Sequence, residues 1–384
     1  MIRACPCCAT VLPEPFFRLS QLPLFCNVHY ADADSARAAA RGDIELVLCP
    51  ECQLITNRAF DSMRLEYSDS YENALHFSPV FRDYASSLAA DLIERFELQG
   101  KRIVELGAGD GHFLGLLCAD GINRGVGFDP ALRISGETPP WLELHVGEHN
   151  ARQQGGEADL IVARHLLEHL QAPLPYVKYL LNESMLKNDG ALYLEVPDGR
   201  YMLEQFAFWD VIYEHVLYFS DVSLGRLLRR AEAGEYRISR AFGDQFLYAE
   251  VDREGGLSVS EPSGDLQLLA ERFAAEWNSQ LSVLEQRIAV LSSESRKIAI
   301  WGAGSKGVTF SNLVNDQGAI KAFIDINERK QHSYAAGSGV PIMPPEYIKQ
   351  HDIDTILIMN ANYQHEIKAM VRDLGGSAEC ITIK

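Results

Sequence analysis

The sequence predicts an α/β chain in which a small cysteine-rich domain precedes two Rossmann-like parallel-sheet units. Three observations carry this. The apolar run Arg102 to Leu106 breaks at Gly107, Gly109 and Gly111, and a second short apolar run then ends in Asp129. Two Cys-x-x-Cys knuckles, Cys5 to Cys8 and Cys49 to Cys52, stand ahead of that pattern. A second glycine turn, Gly302 to Gly307, stands behind it, after a stretch from Asp265 to Arg296 with neither proline nor glycine. At 384 residues the chain is longer than one average domain and has room for two or three.

Composition narrows the partners. The formal charge of -18 repels polyanions, which argues against nucleic acid as a ligand. No segment approaches the length of an uncharged membrane span, and Met1-Ile2-Arg3-Ala4-Cys5 lacks the apolar core of a signal peptide, so a cytoplasmic location is expected. In such a compartment, crowding of six of the eight cysteines into the first 52 residues speaks against a disulfide framework.

The first unit, residues 1–60, is read as a zinc-binding domain. Each knuckle aims two thiolates at one tetrahedral ion, and Cys5, Cys8, Cys49 and Cys52 would close its shell, leaving no position for water or substrate. Such a metal is structural. The 40 residues between Cys8 and Cys49 exceed ordinary ribbon spacing, so a loop or subdomain is inserted there. Cys7 is an alternative to Cys5 or Cys8 as ligand.

The second unit, residues 61–255, opens with an irregular aromatic segment, Phe60 to Ser78, and a helix from about Phe81 to Phe96. Strands are expected at Arg102 to Leu106, Leu142 to Val146, Leu160 to Ala163 and Ala191 to Val196, interleaved with helical stretches such as Pro173 to Met185. Strands alternating with helices make a parallel, doubly wound sheet. Tyr236 to Phe242 and Phe246 to Val251 have no helix between them and predict a closing antiparallel hairpin. In nucleoside-binding folds of this kind the glycines admit a ligand close to backbone, and a carboxylate about 20 residues on, here Asp129, accepts from ribose hydroxyls. Glu105, just before the glycines, suits a cationic ligand better than a diphosphate.

Gly255 to Gly264 reads as a boundary, and residues 256–296 as a linker with one long amphipathic helix. Its apolar stripe, with Phe273 and Trp277, is expected to pack in a core. Residues 297–384 start again with a strand, Lys297 to Trp301, the turn Gly302-Ala303-Gly304-Ser305-Lys306-Gly307, and Asp325 at the end of the next strand. The unit is short for a dinucleotide fold and is read as a lobe covering the substrate.

The glycine loop and acidic strand end resemble the class I S-adenosylmethionine-dependent methyltransferases. The order of parts, together with Leu22-Pro23-Leu24 and Asn27, Glu168-His169, Tyr213-Glu214-His215, Gly302 to Gly307 and Asn362-Tyr363, resembles the three-domain sugar C-methyltransferases over nearly the whole chain. The resemblance implies S-adenosyl-L-methionine held by Glu105, Gly107, Gly109, Gly111, Asp129 and Pro130, and a small-molecule substrate, a nucleotide-linked keto-deoxysugar, methylated on carbon. It departs from the family at Ile212-Tyr213-Glu214-His215, where the family often reads Tyr-His-Glu-His. Removing a proton beside a ketone needs a base, and His215 is the candidate, since imidazole is neutral at cytoplasmic pH and Glu214 or another carboxylate can orient it. His169 and Tyr213 are further catalytic candidates; Tyr67, Tyr71 and Lys306 are candidate substrate contacts. An O- or N-methyltransferase for another small metabolite is the alternative that the same residues would serve.

Overall fold

The computed structural model describes residues 1–65, 71–133, 137–147, 156–182, 184–252 and 266–383. The N-terminal unit holds β1 (Phe17–Pro23), β2 (His29–Tyr30), α1 (Ala33–Arg37), β3 (Arg41–Leu48) and β4 (Ile55–Asn57). Buried Phe17 and Leu19 alternate with exposed Arg18 and Ser20 along β1, the pattern of a strand with one wet face. β1, β3 and β4 form an antiparallel sheet, and β4 pairs on its far side with Leu217–Tyr218 of the next unit.

The middle unit runs α2 (Pro79–Arg95), β5 (Arg102–Leu106), α3 (His112–Leu117), β6 (Arg124–Asp129), β7 (Leu142–Val146), β8 (Ala158–Arg164), α4 (Pro173–Leu180), β9 (Leu186–Pro197), α5 (Gly199–Glu204), β10 (Leu217–Tyr218), α6 (Asp221–Arg230), β11 (Tyr236–Ala241) and β12 (Phe246–Asp252). Ser78 caps α2 by accepting from the Phe81 N–H, with Pro79 at the first helical position, where no N–H is needed. The sheet order is β11-β12-β9-β8-β5-β6-β7, with β12 alone reversed, pairing antiparallel with both β9 and β11. All seven residues of β8 are buried, as a strand covered on both faces requires. From β5 the chain winds to β6 and β7 on one side, then returns to β8 on the other. That reversal opens a crevice beyond the carboxyl ends of β5 and β8.

The linker helix α7 (Leu266–Ser293) turns Phe273 and Trp277 onto Phe17 of the N-terminal unit, with ring centroids 4.9 and 5.1 Å away. Phe206 of the middle unit stacks on the same Phe273. The stripe is therefore core packing, and it joins two units at once. No helix among the described residues is long and apolar enough to cross a membrane.

The C-terminal lobe contains β13 (Ile298–Trp301), α8 (Ser305–Leu313), β14 (Ile320–Ile324), β15 (Ser333–Ala335), β16 (Pro341–Met343), α9 (Tyr347–Gln350), β17 (Thr355–Ile358), α10 (Gln364–Asp373) and β18 (Glu379–Thr382). Its sheet runs β18-β17-β13-β14-β16-β15-β2, so its last strand comes from the N-terminal unit, Tyr30 opposite Tyr334 and His29 opposite Ala335. Two strand pairings thus cross the boundaries expected from sequence: β2 belongs to the lobe's sheet and β10 to the N-terminal sheet. The break expected at Gly255 to Gly264 lies outside the described residues.

Candidate active site

The glycine turn sits at the crevice. Gly107, Gly109 and Gly111 have φ of +73°, +57° and +81°, a left-handed backbone that favours glycine. The N–H groups of Gly107 and Ala108 donate to the Phe128 carbonyl, tying the turn to β6. Asp129 completes the tie: its carboxylate accepts from the Gly109 N–H at 2.9 Å and the Ala131 N–H at 2.7 Å. Burial raises the Asp129 carboxyl above its ordinary value, against those two donors. Pro130 follows, exposed at the rim. Nothing lies within 4 Å of the place a Cβ would take at Gly109, so the turn is an open cradle. Below it Glu105 is buried, one carboxylate oxygen lacks a hydrogen-bond partner, and burial lifts its pKa to about 8. An acceptor without a donor beneath an open glycine cradle fits a ligand with a cationic end, such as the aminoacyl sulfonium of S-adenosylmethionine.

A cavity of about 330 Å³ lies where the three units meet. The middle unit faces it with His165, Glu168, His169 and His215, the lobe with Gly302, Gly304, Lys306 and Lys330, and the N-terminal side with Asn27 and Tyr71. His169 follows β8 on a 3-10 turn, Leu167–His169. Its Nδ1 lies 3.0 Å from the Glu214 carbonyl oxygen, which can only accept, so this nitrogen carries the proton. His215 meets it edge to face, with ring centroids 4.9 Å apart. Burial, then the neighbouring His169, His165 and Lys306, holds His215 well below the usual imidazole value. It is neutral, and able to take a proton.

Other expected residues fall elsewhere. No hydrogen bond joins Glu214 to His215: its buried Oε2 turns to the N-terminal unit, accepting from the Cys26 N–H at 2.8 Å. Tyr213 does not face the cavity: its ring is buried and stacks on Phe60, and its hydroxyl accepts from the Asp61 N–H. The Tyr213 ring packs against β3, filling the space that a side chain at Gly42 would occupy. Lys306 does line the cavity, but Asp210 of the middle unit already pairs with it. Tyr71 lines it and accepts from Asn27 Nδ2 at 3.4 Å; Tyr67 lies outside the described residues.

Several residues at the site escaped the sequence reading. Glu195, buried in β9, accepts from Arg164 at 2.9 Å and Tyr193 at 3.1 Å, and also bonds Tyr84. Burial alone would raise its pKa, but Arg164 and His165 pull it down to about 2. The available signal was a carboxylate inside the apolar run Tyr193-Leu194-Glu195-Val196. Glu72 joins the units: it accepts from Arg133 and from Asn327 and Arg329 of the lobe, and Arg329 also reaches Asp110 in the glycine turn.

Away from the cavity, the sulfur atoms of Cys5, Cys8, Cys49 and Cys52 all lie within 4.8 Å of one another. Tetrahedral zinc with thiolates at about 2.3 Å needs sulfurs about 3.8 Å apart, so this cluster is compatible with structural zinc. Cys7 is buried but is not one of the four.

Comparison with known proteins agrees with this geometry. Residues 81–233 match the family described as a methyltransferase domain, and residues 265–378 the C-methyltransferase C-terminal domain. The C-methyltransferase NovU of Streptomyces niveus is 28% identical over 90% of this chain and 86% of its own. Among solved structures, the plantazolicin methyltransferase BpumL in complex with SAH aligns at 15% identity and a TM-score of 0.35, over 45% of this chain and 84% of its own. The Burkholderia thailandensis 1,6-didemethyltoxoflavin-N1-methyltransferase aligns at 17% and 0.33, over 45% and 80%. With a methyltransferase domain followed by a C-methyltransferase C-terminal domain, and similarity to a C-methyltransferase over nine-tenths of its sequence, the chain is an S-adenosylmethionine-dependent methyltransferase.

Proposed function

We propose that the enzyme methylates the carbon beside the ketone of a nucleotide-linked keto-deoxysugar, with His215 as the base. The observation that carries this is a neutral, cavity-facing His215 against His169, next to a crevice that fits the cofactor. In this reading residues 1–60 are a zinc-held scaffold, 61–255 bind cofactor and do the chemistry, and 297–384 cover the sugar and its carrier. Bound S-adenosylmethionine supplies an electrophilic methyl group. The chain's residues supply the rest. Asp129 accepts from the ribose hydroxyls, Glu105 and the glycine turn receive the aminoacyl end, and His215 takes the α-proton so that its electron pair becomes an enolate. Lys306 and Lys330, on the lobe side of the cavity, suit the carrier's phosphates; Lys330 is only 4% exposed and donates to the Ala303 carbonyl at 3.3 Å.

Exchange of the substrate α-proton with deuterated water, in the presence of S-adenosylhomocysteine, tests the base without methyl transfer. His215→Ala should keep its affinity for S-adenosylhomocysteine while exchange slows by about a hundredfold or more. Exchange that persists in the variant would move the base elsewhere. Methyl transfer by the wild type without exchange would favour an O- or N-acceptor.

A further inference from the structure

A histidine base works best when a second group holds the proton on its other ring nitrogen. Glu214 is not placed for this: its Oε2 accepts from the Cys26 N–H, and its carboxylate is not among the groups clustered with the His215 ring. A different carboxylate reaches the histidine pair. Glu168, on the 3-10 turn after β8, is 1% exposed, lines the cavity, and neither of its oxygens has a hydrogen-bond partner among the described residues. A Glu168 oxygen and one ring nitrogen each of His169 and His215 all lie within 4.8 Å of one another. From the other side His165 holds the carboxylate in place, its Nδ1 3.7 Å from Glu168 Oε1 and its Nε2 3.2 Å from Glu195 Oε1. Arg164 then anchors Glu195. Charges thus alternate along one row, Arg164, Glu195, His165 and Glu168, which ends beside the neutral histidine that faces the cavity.

We propose that Glu168 is the positioning carboxylate of His215, clamped by His165, so that the pair works as a unit when the α-proton is removed. This rests on His215 being the base. The substrate C–H bond breaks, its proton passes to the His215 nitrogen facing the cavity, and the electron pair becomes the enolate. The proton on the other ring nitrogen is shared with a Glu168 oxygen, and no other reactant is consumed. A small side-chain rotation closes the remaining gap, as catalytic hydrogen bonds are often long before substrate binds. His165 brings the compensating charge. Burial pushes its pKa down, but the Glu168 and Glu195 carboxylates push it up to about 9, so it stays an imidazolium.

Glu168→Gln keeps the shape and removes the charge. In the full-length enzyme it should slow α-proton exchange by about ten- to a hundredfold, with the affinity for S-adenosylhomocysteine and the KM for the sugar within about twofold of wild type. The ring nitrogens of His215, read by 15N chemical shift, should change from one dominant tautomer to a mixture, which a purely structural role would not produce. If Glu168→Gln does not fold, Glu168→Asp, which draws the charge back by one carbon, should show the same loss with binding intact. Normal exchange in the Glu168 variants beside a dead His215→Ala would overturn the positioning role and leave the base assigned. A raised KM with unchanged turnover would make Glu168 a substrate ligand and overturn it too. Exchange surviving in His215→Ala would remove the base reading and the proposal together.

Discussion

Glu105 carries a proton that its unfolded counterpart would have released. Burial at the end of β5 raises its pKa from an ordinary 4.5 to about 8. Between those values the folded protein binds a proton that the unfolded chain lacks, so the group's contribution to stability is complete below about 4.5 and is lost as pH rises through 8. Glu105→Gln keeps the side chain's outline and abolishes the titration. The melting temperature of the cofactor-free wild type should therefore fall more steeply from pH 5 to pH 8 than that of the variant. Parallel melting curves would show that Glu105 titrates normally. The consequence for binding has the same origin: the carboxylate is costly to bury alone, and a ligand cation placed against its unpartnered oxygen offsets that cost.

The turn between β11 and β12 shows how one element docks the lobe. Phe242, Gly243 and Asp244 are all left-handed, with φ of 50°, 64° and 64°. A methyl group at Gly243 would sit 2.4 Å from Asn362 Oδ1. That asparagine donates to the Phe242 carbonyl, and Gln245 exchanges two amide hydrogen bonds with Asn360 at 2.8 and 2.9 Å. Gly243→Ala should cost about 1–3 kcal/mol in a urea titration, the scale of forcing a side chain into left-handed backbone. A variant as stable as wild type would mean that the turn relaxes freely. Features carried by local pattern were legible in the sequence: the glycine turn with Asp129, the knuckles and the closing hairpin. Partners that tertiary packing brings together were not. Nothing local says that Glu214 turns to Cys26, that Tyr213 packs behind Gly42, or that Glu168 and Glu195, 27 residues apart, close on one histidine.

At the scale of the whole molecule, the cysteine knuckles flank the segment that carries β2, so the metal cluster and the lobe's outermost strand pairing are mechanically connected. Metal analysis should find about one zinc per chain, and its removal by a chelator should lower the melting temperature. It should also speed amide hydrogen exchange at Ser333–Ala335, the strand paired with β2. Faster exchange confined to the N-terminal unit would show the two to be independent. The same pairing has a consequence for synthesis. Residue 30 leaves the ribosome about 300 residues before residue 334, a wait of about 15–60 s at translation rates of about 5–20 residues per second. Through that interval β2 has a sheet edge and no sheet. Its two-residue length is what makes the wait safe, because so short an edge is a poor template for pairing with another nascent chain.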